Sequence, residues 1–231
     1  MANLCIIPAR GGSKRIPKKN IKNFLGKPII AYSIEAALNS GLFEEVMVST
    51  DDEEIAEIAI KYGAKVPFLR SEKNSDDYAS TMDVIEEVIK NYIQINNTHF
   101  QFVCCIYPTA PLIKVDDLKS GYDKFKVHNY TCVFPSVKFS YPIWRSFEIE
   151  ESGNTKMFWP ENVNARSQDL KKAYHDAGQW YWFNIDKINN WNWPENSGTV
   201  ILKEDVVQDI DTLSDWKIAE MKYQLMLGNT K

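Results

Sequence analysis

The chain has 231 residues, 44% of them hydrophobic, and a formal net charge of −4 at pH 7. That length supplies one sizeable core, and no shift in composition splits the sequence, so a single domain over 1–231 with an insertion is expected. The acidic balance excludes a general attraction to nucleic acid or to an anionic membrane.

With no run of about 18 apolar residues and no charged-then-apolar leader, a cytoplasmic protein is expected. The four cysteines, Cys5, Cys104, Cys105 and Cys132, sit in apolar stretches without C-x-x-C spacing. They read as buried thiols, not as zinc ligands or a disulfide framework.

In chain order, residues 3–8 read as a short buried strand that runs straight into a glycine-bearing loop over 9–20. Arg10, Lys14, Arg15, Lys18 and Lys19 crowd this loop. A helix over 29–40 places Ile30, Ile34, Ala37 and Leu38 on one face and stops at Gly41. A strand over 45–50, an acidic-started helix over 52–61 and a strand over 65–69 follow, an alternation that favours a parallel sheet. Val84, Ile85, Val88, Ile89 and Tyr92 then repeat at helical spacing behind the possible caps Ser80 and Thr81. A strongly apolar strand over 102–107 ends at Pro108, and a helix over 116–126 and a strand over 131–137 come next. From 138 to 174 the pattern dissolves into aromatic, proline and polar residues, the expected insertion. Strand character returns over 178–185, and an acidic turn over 208–211 precedes a helix that starts near Leu213.

Alternating elements of these lengths imply an α/β fold, a three-layer α/β/α domain whose ligand lies beyond the carboxyl ends of its strands. The glycine loop, Arg70, the Tyr107–Pro108 corner and the 209–211 acids all follow strand ends and can share one cleft.

The loop offers backbone N–H groups at Gly11, Gly12 and Ser13 together with cationic side chains, which suits a polyphosphate. It has neither the P-loop nor the Gly-x-Gly-x-x-Gly pattern, and a solvated basic turn is the competing reading. Asp209 and Asp211 alternate on an extended segment around an outward Ile210, so both carboxylates can point to one side and chelate a divalent ion. An acidic turn that caps the next helix is the alternative. No Gly-x-Ser-x-Gly elbow or His-Glu-x-x-His occurs, and His99, His128 and His175 lack metal spacing. His175 stands in the aromatic stretch 174–183 and is a candidate substrate contact.

The run Ile7-Pro-Ala-Arg-Gly-Gly-Ser-Lys-Arg-Ile-Pro-Lys-Lys-Asn20 closely resembles the signature loop of the CMP-sialic acid synthetase family. Arg70, Ser80, Thr81, Pro108-Thr-Ala-Pro-Leu112, Arg166 and Asp209-Ile-Asp211 extend the resemblance over nearly the whole chain. It implies a Rossmann-like nucleotidyltransferase fold of the nucleotide-diphospho-sugar transferase type, with residues 138–174 as an inserted dimerisation arm. It also implies CMP transfer from CTP to an acidic nine-carbon sugar, with Mg²⁺ as cofactor, in a homodimer.

By position, Arg10, Ser13 and Lys19 would hold the triphosphate beside Gly11 and Gly12. Asn20, Arg70, Ser80 and Thr81 would contact cytidine, and Asp209 and Asp211 would bind the metal. Arg10, Lys19 and Asp211 form the catalytic set. Arg166 would meet the sugar, in the partner's cleft. One departure stands out. N-acetylneuraminate enzymes usually read Gln-Pro-Thr-Ser-Pro-Leu where this chain has Tyr107-Pro-Thr-Ala-Pro-Leu112, and an amide and a phenol differ in volume and hydrogen bonding. With the 173–183 segment, this is most similar to the branch acting on pseudaminic acid, a 5,7-diacetamido nonulosonic acid lacking the 9-hydroxyl; legionaminic and N-acetylneuraminic acids are the alternatives. Tyr107, His175, Tyr181 and Phe183 are the further sugar-binding candidates. Trp180 to Phe183 can equally be plain core, and a catalytically dead nucleotide-binding protein on the same fold is the rival from another class.

Overall fold

The computed structural model describes residues 2–189, 191 and 194–228. In β1 (Asn3–Pro8), side chains leave on alternate faces, so Cys5 and Ile7 enter one apolar cluster and Leu4 and Ile6 another. After the basic loop, β2 (Asn23–Phe24) and β3 (Lys27–Pro28) pair antiparallel around Leu25 and Gly26, both at positive φ. Two successive positive φ values make the tight turn that suits a hairpin.

Helix α1 (Ile29–Ser40) buries Ile30, Ile34 and Ala37 and ends at Gly41 in the left-handed conformation. Leu38, expected on that face, is exposed. It follows Ala37 by one residue and so lies about 100° further round the helix. After β4 (Glu45–Ser49), α2 (Glu53–Lys61) starts at Asp52, whose carboxylate accepts the Ile55 N–H. The expected strand over 65–69 does not form. Lys65 alone makes a bridge to Met47, and Pro67 has no N–H with which to continue the ladder.

Helix α3 (Thr81–Asn96) opens with a full capping box between Ser80 and Asp83, a feature worth about 1 kcal/mol. Then come β5 (Phe102–Ile106), α4 (Val115–His128) and β6 (Cys132–Lys138). Between 138 and 174 the chain makes short turns and an antiparallel pair, β7 (Phe147–Ile149) with β8 (Thr155–Met157), before β9 (Tyr174–Asp176) returns to pair with β6. Next are β10 (Trp180–Asn184), β11 (Ser197–Leu202) and α5 (Leu213–Gly228).

The main sheet has the order β11-β6-β10-β5-β1-β4. It is mixed, and this corrects the parallel expectation. β1 runs parallel to β4 and β5, but β10 slots antiparallel between β5 and β6. Helices α1, α2 and α4 cover the Cys5, Cys104 and Trp182 face, while α3 covers the Leu4, Cys105 and Phe183 face. Three layers result, α/β/α, and all four cysteines are buried free thiols. A third apolar cluster joins Ile16 of the loop, Phe24, Tyr32, Ile210 and Trp216, so it ties the acidic turn to the glycine loop.

Candidate active site

β1 ends at Pro8, and the loop that follows is shaped by close contacts with the end of β4. Ala9 N–H donates to the Ser49 carbonyl at 2.9 Å and Gly11 N–H to Asp51 Oδ1 at 2.9 Å. A Cβ on Gly11 would stand 2.7 Å from Asp52 Oδ2, so glycine is needed here for packing. Gly11 N–H is thus occupied by a carboxylate, and neither Gly11 nor Gly12 lines the cleft.

Lys18 sits at φ 50°, a conformation that is uncommon outside glycine and clusters at functional sites. Its carbonyl accepts N–H groups from both Ile21 and Lys22 at 3.0 Å. The turn sends Lys19 and Asn20 inward. Lys19 Nζ lies 2.7 Å from the Ile210 carbonyl oxygen, and Asn20 Nδ2 donates to the Arg10 carbonyl at 2.9 Å.

A cleft of about 490 Å³ opens at the carboxyl ends of β1 and β5. It brings together eight of the predicted residues: Arg10, Ser13, Lys19 and Asn20 from the loop, Arg70, Ser80 and Thr81 from the α3 approach, and Tyr107 after β5. Arg70 is buried, with Nε donating to Ser49 Oγ at 3.0 Å and its backbone N–H to Thr50 O at 2.7 Å. Burial lowers its guanidinium pKa, and Asp51 and Glu87 work against that shift.

The loop cations are already matched by acids. Arg10 Nη1 lies 2.7 Å from Asp77 Oδ1, and Lys14 pairs with the other Asp77 oxygen. Arg15 Nη2 lies 2.6 Å from Asp211 Oδ1, with Lys19 Nζ at 3.7 Å from the same oxygen. Hydrogen bonds from Lys14, then from Arg10, hold the Asp77 carboxyl below its usual range. Sequence reasoning missed Asp77, which has no motif spacing to the loop, and left Lys14 and Arg15 out of the site although they belong to the same basic run.

One of the two readings of the acidic turn, the helix cap, does not hold. The cap of α5 is Thr212 with Asp215, whose Oδ2 accepts the Thr212 N–H at 2.7 Å while Thr212 Oγ1 accepts the Asp215 N–H at 3.2 Å. Asp209 and Asp211 are therefore not the caps. Ile210, expected to point outward, is fully buried with Phe24 and Trp216, and it anchors the two acids beside the loop. Partial desolvation, then the charge of Asp211, raises the Asp209 pKa. Two hard carboxylates that repel each other suit a divalent cation shared with phosphate oxygens. Among the described residues no three His, Cys, Asp or Glu side chains form a closed metal cage.

Neither Asp209 nor Asp211 lines this first cleft, against the expectation that the acidic turn shares it, because Ile210 is buried and turns the acids to its edge; Asp209 lines a second cleft of about 670 Å³ with His175, Lys138, Arg145 and Lys222. His175 is exposed on β9, its ring centroid 4.6 Å from that of Phe139. Arg166 is exposed in the 138–174 segment and lines neither cleft. Tyr181 and Phe183 share a sheet face, as expected. Phe183 is fully buried there under α3, so it is core and not cleft wall. Tyr181 packs against Tyr107, with ring centroids 5.2 Å apart and planes tilted by 51°, and donates to Asp176 Oδ2 at 2.7 Å.

A cationic loop leaving the first strand of a Rossmann-like α/β sheet, facing capped hydroxyls across a cleft, defines the nucleotidyltransferase class of fold. A solved CMP:2-keto-3-deoxy-manno-octonic acid synthetase complexed with CTP shares this fold, with a TM-score of 0.71 at 18% identity over 99% of this chain and 100% of that one. The family model described as cytidylyltransferase matches residues 4–187, and the chain belongs to that family. It is 49% identical to the pseudaminic acid cytidylyltransferase of Campylobacter jejuni subsp. jejuni, over 97% of each chain. It is 32% identical to the CMP-N,N'-diacetyllegionaminic acid synthase of Legionella pneumophila, again over 97% of each.

Proposed function

We propose that this chain transfers CMP from CTP to the anomeric hydroxyl of a nonulosonic acid, with pseudaminic acid as the acceptor, and releases pyrophosphate. The observation that carries the reading is the single cleft that gathers Arg10, Lys19, Arg70, Ser80 and Thr81 at the strand ends, with Asp211 beside Lys19. The 49% identity to a pseudaminic acid cytidylyltransferase and the phenol of Tyr107 at the cleft support this acceptor over its relatives.

In the reaction the anomeric oxygen forms a bond to the α-phosphorus as the bond from that phosphorus to the bridging β-phosphate oxygen breaks. The hydroxyl proton passes to solvent water and pyrophosphate carries the leaving charge. Arg10, Ser13 and Lys19 hold the triphosphate, and the two cations offset charge that spreads over its oxygens in the transition state. Lys19 is pre-positioned by the Ile210 carbonyl, so little reorganisation is needed at the moment of reaction. Asn20, Arg70, Ser80 and Thr81 surround the cytidine. Asp209 and Asp211 would hold Mg²⁺, which when bound supplies neutralisation of phosphate charge.

The second cleft, with Lys138, Arg145 and Lys222, suits the sugar carboxylate, and Asp209 on its wall adjoins the metal position. Residues 138–174 form the dimerisation arm, whose exposed Tyr141, Phe147, Ile149 and Phe158 are suited to burial against a second copy that receives Arg166. No described helix is long and apolar enough to cross a membrane, and an enzyme drawing on CTP belongs in the cytoplasm.

The test is pyrophosphate release from CTP and pseudaminic acid with Mg²⁺ or with a chelator, in the wild type and in Asp211→Ala. Turnover that needs the metal and disappears in a folded Asp211→Ala supports the reading. Retained turnover in that variant removes the metal assignment.

A further inference from the structure

A further cleft of about 510 Å³ opens between α4 and the last residue of β10, and it shares no lining residue with either cleft described above. β10 pairs Asn184 with Phe102 at the start of β5 and Trp180 with Ile106 at its end. The length of β5, about 13 Å at the usual rise per residue, therefore separates this opening from the strand ends where the nucleotide cleft lies.

Side chains alternate along β10, so Asn184 leaves the strand on the face of Trp182, which α4 covers. Phe102, Tyr122 and Phe125 form an aromatic wall there, with the Phe102 and Phe125 rings edge to face at 5.2 Å. Asn184 is 8% exposed, and its Oδ1 accepts the Asp186 N–H at 3.2 Å. Its Nδ2 has no partner among the described residues. Trp180 Nε1 is the one fully enclosed side-chain polar atom left unpaired among those residues, so Asn184 Nδ2 is reached from the cleft. A buried amide with idle donors calls for an acceptor.

The charge on this wall has one sign. Lys126 and Lys187 line the cleft and no carboxylate does. Lys187 donates to the Asn129 carbonyl at 3.0 Å and to Asn129 Oδ1, both neutral, and Lys126 Nζ stands 5.1 Å from the centre of the Tyr122 ring. Neither lysine has an acidic partner among the described residues. The nucleotide cleft differs, since Asp77 already matches Arg10 and Lys14 there. In a chain of net charge −4, two unmatched cations beside an idle amide and an aromatic wall form a place for an anion that carries a flat ring.

We propose that this cleft is a second ligand site, which takes a small phosphate ester bearing a planar ring, the chemistry of a nucleoside monophosphate. The two ammonium groups match the double negative charge of a phosphate monoester, Asn184 Nδ2 donates to an acceptor on the ligand, and the ring lies against the aromatic wall. The site stands apart from CMP transfer and does not depend on it.

The test is equilibrium binding of AMP and of inorganic phosphate to the wild type, Lys126→Glu, Asn184→Asp and Arg10→Ala. Lys126→Glu reverses an exposed charge. Asn184→Asp keeps the oxygen that accepts the Asp186 N–H and removes the amide donor. Each is expected to weaken AMP by about tenfold or more, the loss of a charge-assisted contact. Arg10 lies in the nucleotide cleft, so Arg10→Ala is expected to leave AMP binding as it was, and a loss there instead would place AMP in that cleft and overturn the proposal. A wild type that fails to bind AMP at up to about 1 mM overturns it too, as does unchanged binding in a folded Lys126→Glu, the variant that decides if Asn184→Asp does not fold. Phosphate bound as tightly as AMP would overturn the ring-bearing class of ligand.

Discussion

Lys19 Nζ donates to the Ile210 carbonyl at 2.7 Å across 191 positions of sequence, and this bond joins the glycine loop to the acidic turn. The same ammonium lies 3.7 Å from Asp211 Oδ1, so the cation proposed for phosphate and the carboxylate proposed for the metal are placed by one contact. Lys19→Ala is expected to lower kcat/KM for CTP by about 10²–10³, the usual loss when a charge-stabilising donor is removed. The lysine side chain is 22% exposed and bonded to the Ile210 carbonyl, so a melting scan accompanies the kinetics to show that the variant is folded. Retained turnover would remove Lys19 from the reaction.

Asp77 occupies Arg10 and Lys14, two cations that line the cleft. A triphosphate must compete with it. Exposed ion pairs are worth about 0.2–1 kcal/mol, so Asp77→Asn should lower the KM for CTP about two- to fivefold with little change in kcat. A raised KM would mean that Asp77 helps to hold the loop in its binding shape.

A fold prediction comes from Gly121, buried in α4 against the indole of Trp180. A Cβ there would overlap the ring. Gly121→Ala should cost about 1–3 kcal/mol in denaturant unfolding, while the KM for CTP stays near the wild-type value. An unchanged midpoint would show that Trp180 has room to shift.

The phenols give a pH dependence. Burial, then the neighbouring Tyr223, pushes the Tyr32 pKa up to about 12, and burial likewise raises Tyr92 and Tyr181. A folded-state pKa above the unfolded value of 10.0 means that the native state holds its proton more tightly. Stability is then fully present below pH 10 and falls as pH rises from there through the folded value, near 12 for Tyr32. Denaturant midpoints measured from pH 8 to 12 should decline beyond 10, and Tyr32→Phe should make the decline shallower. A flat profile would contradict this.

Much of the fold was legible because its signals are local. The alternation in 3–8, the 3.6-residue spacing from Val84 to Tyr92 and the caps at Asp52 and Ser80 each involve neighbours in sequence. The direction of β10 was not legible. Trp180, Tyr181, Trp182 and Phe183 are buried on both faces, so the run has no alternation to reveal its partners. β11 escaped because Gly198 and Thr199 dilute its apolar pattern, and Pro67 ended a strand that the apolar residues around it suggested. At the site, the loop, Arg70, Ser80, Thr81 and the Asp pair could be read from order and resemblance. Asp77 and the inward Ile210 could not, because their contacts reach across the fold and leave no spacing in the sequence.

The most direct measurement is pyrophosphate release from CTP and Mg²⁺ with pseudaminic, legionaminic and N-acetylneuraminic acids supplied separately at equal concentration. Release with pseudaminic acid, and little with the other two, is the expected result. Release with another acid in its place would overturn the assignment of the acceptor, and silence with all three would contradict CMP transfer to these sugars altogether.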